Sequence, residues 1–283
     1  MRDAESSYSV PVRTLKKFSN NGKLSFLDLS DIDALRNNKI SLSTQKCFMA
    51  EQNYYSNDVD ALFCKKIETR MGRLEDGFLK DIENNVIMPK KYRHWNDLHG
   101  FAKEVIAIQS LRNPDYTRKK FLPHFKVLDY KERNGARDYV NTFLNPKDFP
   151  EHYNKYLELF CSCHDFDAYR SMVLINKTDR DFFLPTTHYY LARLNADMKK
   201  CYVVVVSPKM AWVLLTCDDY KMGFEDKRGE IVPSVTDVET IKCLNYFALK
   251  FEDEYGSKKI ISTCDELKKF DYFEYSDFCN LLY

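Results

Sequence analysis

The run Val203-Val204-Val205-Val206 constrains this chain more than any other stretch. Four β-branched residues in a row are stiff at χ1 and favour a pleated strand. They show no polar alternation, so neither face of the strand suits water, and the run reads as a central strand covered on both sides. The run falls in a strand expected at residues 202–206, with companions expected at 169–175, 182–184 and 211–216. These segments are short and apolar, and Asp, Asn, Pro or Thr bounds each of them. Residues 23–29 alternate as a further short strand after the turn signal Asn20-Asn21-Gly22.

Helical spacing dominates between these regions. Val59, Leu62, Phe63, Ile67, Met71, Leu74, Phe78 and Ile82 keep three-and-four spacing, with Asn57 or Asp58 as the cap of a helix over residues 59–83. A second helix is expected over 95–112, stopping before Pro114 because the residue preceding proline avoids the helical region. Shorter helices are expected at 115–122, 136–144 and 151–161. A long one is expected over 236–254, repeating Val238, Ile241, Leu244, Ala248 and Phe251. Helices first and strands later imply an α+β fold. The helical half (about 57–165) would pack on a mostly antiparallel C-terminal sheet (about 168–283) with its long helix, all one compact domain over 1–283.

Hydrophobic residues form 44% of the 283 and aromatics 14%, enough to build a core and to argue against global disorder. Only eight glycines occur, none clustered, and neither GxGxxG nor GxxxxGK[ST] is present, which argues against a phosphate-cradling loop. Net charge is +1, so no global field marks a nucleic-acid or membrane binder. The charge is unevenly spread: residues 89–126 hold nine Lys or Arg against three acids, and residues 218–283 hold fifteen acids against nine Lys or Arg. Mutual attraction of these stretches within one fold competes with a binding surface. No apolar run reaches the ~18 residues of a membrane span, and the start of the chain has no signal-peptide pattern. Nine scattered cysteines read as reduced thiols without disulfides or metal, and the expected location is cytoplasmic.

Polar residues on apolar stripes are the candidate functional residues. The second helix presents Trp95, Leu98, Ala102, Val105, Gln109 and Arg112 at core-facing spacing, and the last two are an amide and a guanidinium. A buried Arg stays charged, so it needs a carboxylate partner or a cavity. Glu68, beside Ile67, and Glu51, just before Tyr54-Tyr55, are the candidate partners, and Asn245 interrupts the last helix in the same manner. One reading is a satisfied network that fixes how helices dock; the other is a pocket that orients an anionic or amide-bearing ligand. Cys161-Ser162-Cys163-His164 matches no common zinc spacing. His94, His99 and His124 read as a solvated face, and no cofactor is expected.

Several blocks, in order, resemble the family catalogued as domain of unknown function 4238. They are Val10-Pro11 with Leu15-Lys16-Lys17-Phe18-Ser19, Glu51-Gln52-Asn53-Tyr54-Tyr55, Lys66-Ile67-Glu68, and Gln109-Ser110-Leu111-Arg112-Asn113-Pro114 with Arg118. The second half adds Phe183-Leu184, Val206-Ser207-Pro208-Lys209 and Leu244-Asn245. The chain departs from the family at Tyr8-Ser9, where a His-Tyr dipeptide is usual, and at Pro185-Thr186-Thr187, where Thr-Ser-Asp is usual. The resemblance implies no reaction, but it points to Glu51, Glu68, Gln109, Arg112 and Asn245 independently of the stripe argument.

Two functions are expected from this. In one, the protein is a hydrolase or nuclease-like factor acting on a nucleotide or nucleic acid, with Glu51 and Glu68 as acid and base and Arg112 on the anion. The kind of family, more than any residue, suggests antiviral defence or a toxin. In the other, it is a non-catalytic module that binds protein or nucleic acid through residues 90–126.

Overall fold

A computed structural model describes residues 10, 12–44, 106, 169–193, 200–216, 218 and 234–281. The chain enters through helix α1 (Val12–Phe18) and a hairpin of β1 (Ser19–Asn20) and β2 (Lys23–Asp28). Asn21 (φ 51°) and Gly22 (φ 74°) form its two-residue turn. Both sit in the left-handed region that hairpins with matching twist require. Helix α2 (Ile32–Arg36) follows, capped by Asp31, whose side chain accepts from the Ala34 N–H at 2.9 Å. Asn38 ends it at φ 51°. The Asn38 N–H donates to the Leu35 carbonyl and the Lys39 N–H to the Ala34 carbonyl, a Schellman closure. Strand β3 (Ser41–Thr44) then returns antiparallel to β2.

The remaining elements are β4 (Tyr169–Asn176), β5 (Leu184–Pro185), β6 (Tyr189–Ala192), β7 (Cys201–Ser207), β8 (Met210–Thr216), β9 (Ser234–Val235), helix α3 (Val238–Tyr255), β10 (Lys259–Ser262), and helices α4 (Cys264–Lys268) and α5 (Tyr272–Leu281). They complete two five-stranded sheets. The larger runs β6-β7-β8-β4-β9 and is antiparallel except where β9 joins β4. The other runs β1-β2-β10-β5, with β3 on the far side of β2.

All seven residues of β7 are buried, and the strand lies between β6 and β8, as its valine run requires. Each fully buried Val or Leu side chain contributes about 1.5–3 kcal/mol, so β7 and the equally apolar β8 anchor the core with Trp212, Tyr189, Tyr190 and Phe182. Helix α3 starts at the Asp237 cap, which accepts from the Glu239 and Thr240 N–H groups, and it buries a broad face.

The architecture is α+β, with sheets flanked by helices and an 18-residue helix toward the C-terminus. Two features differ from the sequence expectation. The strand expected at 182–184 is only Leu184–Pro185, because residues 181–183 bond to side chains in place of a neighbouring strand. There are also two sheets instead of one, and the second joins β2 near the N-terminus to β10 near the C-terminus through Asp28↔Lys259 to Ser25↔Ser262. Of the helices expected within 59–161, only Ile106, helical and buried, is among the described residues. Among the described residues, no helix is long and apolar enough to cross a membrane. Cys201, Cys243, Cys264 and Cys279 are free thiols.

Candidate functional site

Helix α3 carries two polar residues on its buried face, Asn245 and Glu252, seven positions apart and in the same row as Ile241 and Ala248. Each grips part of the segment that carries the chain from β4 to β6.

The Asn245 carboxamide accepts from the Phe183 N–H at 2.8 Å and donates to the Asp181 carbonyl at 2.8 Å. A neighbouring strand would offer the same pair of bonds, so this side chain stands in for one. The same segment is held from three other sides. From β10, Ser262 Oγ donates to the Phe182 carbonyl at 2.9 Å. At the β7–β8 turn, the Pro208 carbonyl accepts from the Phe182 N–H, and Lys209 Nζ pairs with Asp181 Oδ1 at 2.7 Å. From α4, Glu266 Oε1 takes Arg180 Nε at 2.8 Å, and Oε2 takes the Asp181 N–H at 3.0 Å.

Glu266 sits in Thr263-Cys264-Asp265-Glu266, the spacing of a capping box. Thr263 Oγ1 does accept from the Glu266 N–H, at 3.4 Å, and donates to Asp181 Oδ2 at 2.5 Å. The glutamate carboxylate turns inward to Arg180, Asp181 and Asn245. Burial pushes its pKa up, opposed by the Asp181 N–H and by Arg180.

The second grip is at Glu252, which is 0% exposed. Its Oε2 accepts from the Thr186 N–H at 2.8 Å. Its Oε1 accepts from Thr186 Oγ1 at 2.6 Å and from the Lys259 N–H at 3.1 Å, with Ser257 Oγ at 3.5 Å. Thr186 Oγ1 in turn accepts from the Ser257 N–H at 3.1 Å. Burial pushes the Glu252 pKa up, and this ring of donors opposes the rise. Gly256 makes the approach feasible: a Cβ there would overlap the Glu252 carboxylate. Two residues beyond Thr186, His188 turns the chain at φ 64° and places Nε2 3.1 Å from the Val205 carbonyl, which calls for a proton on that nitrogen.

The seam thus fastens both sheets and α3 to one short segment. Of the residues the sequence singled out, it contains Asn245; Glu51, Glu68, Gln109 and Arg112 lie outside the described residues, as do Cys161, Cys163 and His164. Sequence reasoning missed Glu252, Glu266, Arg180, Asp181 and Thr186. The rule that selects Asn245, a polar residue in an apolar row, would have found Glu252 if carried seven positions further.

Among the described residues, no group of three or more His, Cys, Asp or Glu is arranged to hold a metal. The buried Thr14 and Tyr190 hydroxyls have no partner among them, and burial pushes the Tyr190 phenol well above its ordinary range. No family model, curated protein or solved structure matches the chain. Within the seam, Asn245 bonds Phe183, while Pro208 and Lys209 bond Phe182 and Asp181.

Proposed function

We propose that this protein acts by binding, with the seam under α3 as its rigid frame and residues 90–126 as its contact with nucleic acid. One observation carries the first half of this reading. Glu252 and Glu266, the buried acids among the described residues, each accept from at least three donors, two on separate carboxylate oxygens. A carboxylate so committed holds structure and is poorly placed to take a proton from a substrate. The contact surface is argued from sequence alone: nine Lys or Arg against three acids over residues 89–126, with Tyr92, Tyr116 and Phe121 interleaved for base stacking.

The rival is a hydrolase in which Glu51 and Glu68 do acid–base work and Arg112 holds a phosphate. The observation favouring it is the placement of Gln109 and Arg112 on an otherwise apolar stripe. One experiment separates the two. A labelled single-stranded oligonucleotide is titrated at two salt concentrations, and the same samples are run for cleavage products. The binding reading expects weak, salt-sensitive binding with the oligonucleotide intact. Cleavage that disappears in Glu68→Gln or Arg112→Met would establish the hydrolase instead, and submicromolar binding at high salt would remove the basic stretch as the contact.

A further inference from the structure

Helix α5 is attached differently from every other long element. None of its ten residues is buried, and Phe273 and Leu281 are 68% and 86% exposed. It begins at the Asp271 side chain, which accepts from the Phe273 N–H at 2.8 Å and the Glu274 N–H at 3.2 Å. It then lies along the Lys242–Tyr246 row of α3, a different face from the one carrying Asn245 and Glu252. Glu274 bonds Lys242 Nζ at 2.5 Å and accepts from the Tyr246 hydroxyl at 3.0 Å. The Tyr275 ring lies tilted against Tyr246, and Phe278 meets Tyr246 and Phe247 with ring centroids 5.4 and 5.0 Å apart. Arg36 of α2 covers the Tyr272 ring.

We infer that α5 is a releasable strap: it lifts from α3 while both sheets stay folded, and its lifting bares the aromatic strip of Tyr246 and Phe247. A helix of this length is marginal in water by itself, so among the described residues it is held by these ring contacts, the Tyr246–Glu274 hydrogen bond, Arg36 over Tyr272 and the Lys242–Glu274 ion pair. Tyr246 is 7% exposed under the strap and Phe247 is partly buried, so α5 covers most of the strip when it is down. Its opening leaves untouched the Asn245 and Glu252 bonds that fasten the sheets. Release of this kind is a sub-global opening, and it occurs ahead of whole-molecule unfolding wherever an element has few buried contacts.

Native-state hydrogen exchange on the full chain tests this. Amides of α5 are expected to exchange on the order of a hundredfold faster than those of β7 and β8, through an opening with a smaller denaturant dependence than global unfolding. Phe278→Ala removes two ring contacts and should speed α5 exchange by about tenfold or more with β7 and β8 unchanged. Exchange of α5 in step with β7 and β8 in the unsubstituted protein would overturn the inference, whatever the variant does. So would a Phe278→Ala variant in which α5 and the sheets accelerate together.

Discussion

Replacing Glu252 by Gln keeps the shape of the side chain and removes one acceptor, so it isolates what the buried carboxylate does. The carboxylate offers an oxygen to each side: Oε2 to the Thr186 N–H at 2.8 Å, and Oε1 to the Lys259 N–H at 3.1 Å and to Thr186 Oγ1 at 2.6 Å. A carboxamide has one oxygen. If it faces Lys259, its NH2 meets the Thr186 N–H; if it faces Thr186 N–H, its NH2 meets the Lys259 N–H. Either way a buried backbone donor is left unpaired, at a cost of about 1–3 kcal/mol. Glu252→Ala leaves all of these donors without an acceptor and should cost more than the Gln change. Urea unfolding followed by the fluorescence of buried Trp212 measures both.

The pH dependence follows from burial. The folded carboxyl has a pKa above its ordinary 4.5. The folded state therefore holds a proton that the unfolded state has lost as pH rises past 4.5. The group's contribution is full below that value and declines as pH climbs through the raised folded pKa. Since Gln does not titrate, the stability gap between wild type and Glu252→Gln should narrow from pH 4.5 upward. A gap that widens over that range would mean that the donors outweigh burial, and a variant as stable as wild type would refute the role itself.

Three further outcomes are expected. Gly256→Ala should destabilise by displacing the Glu252 carboxylate, and the loss should largely vanish when Glu252→Ala is already present; additive unfolding free energies would contradict this. Arg180→Met should cost about 3–5 kcal/mol by leaving Glu266 without its cation, and adding Glu266→Gln should recover part of that; a double-mutant cycle in urea reads the coupling. Thiol titration of denatured protein prepared without oxidant should find all nine cysteines free, and bound stoichiometric zinc would contradict it.

Long uniform runs made part of this fold readable. β4, β7 and β8 each hold seven or more residues of strand pattern, and α3 repeats its apolar row over five turns. β10 is only Lys-Ile-Ile-Ser, and nothing local says that Ile260 pairs with Leu27. Pairing at that distance is a tertiary choice, so one sheet was expected where there are two. In the seam, Asn245 stands out because isoleucine and alanine flank it in its row. Glu252 is followed by Asp253 and Glu254 and so resembles the wet end of a helix; only the approach of Thr186 and Lys259 reveals its burial. Glu266 is hidden by the capping-box spacing that explains it well enough without any inward contact. Glu51, Glu68, Gln109 and Arg112 rest on the sequence argument, since they lie outside the described residues.

The pairing of β2 with β10 also sets an order of events during synthesis. The larger sheet draws all its strands from residues 169–235 and can close once that stretch has emerged. β2 appears much earlier, yet its partner from Lys259 onward follows roughly 230 residues later, on the order of ten seconds or more at ordinary translation speeds. Through that interval Leu24, Phe26 and Leu27 lack β10, a strand that they sit beside in the finished sheet. Non-local closure of this kind slows folding and leaves a strand edge open to other chains. A nascent chain stalled before residue 259 should therefore aggregate or recruit chaperones more readily than one stalled after 281.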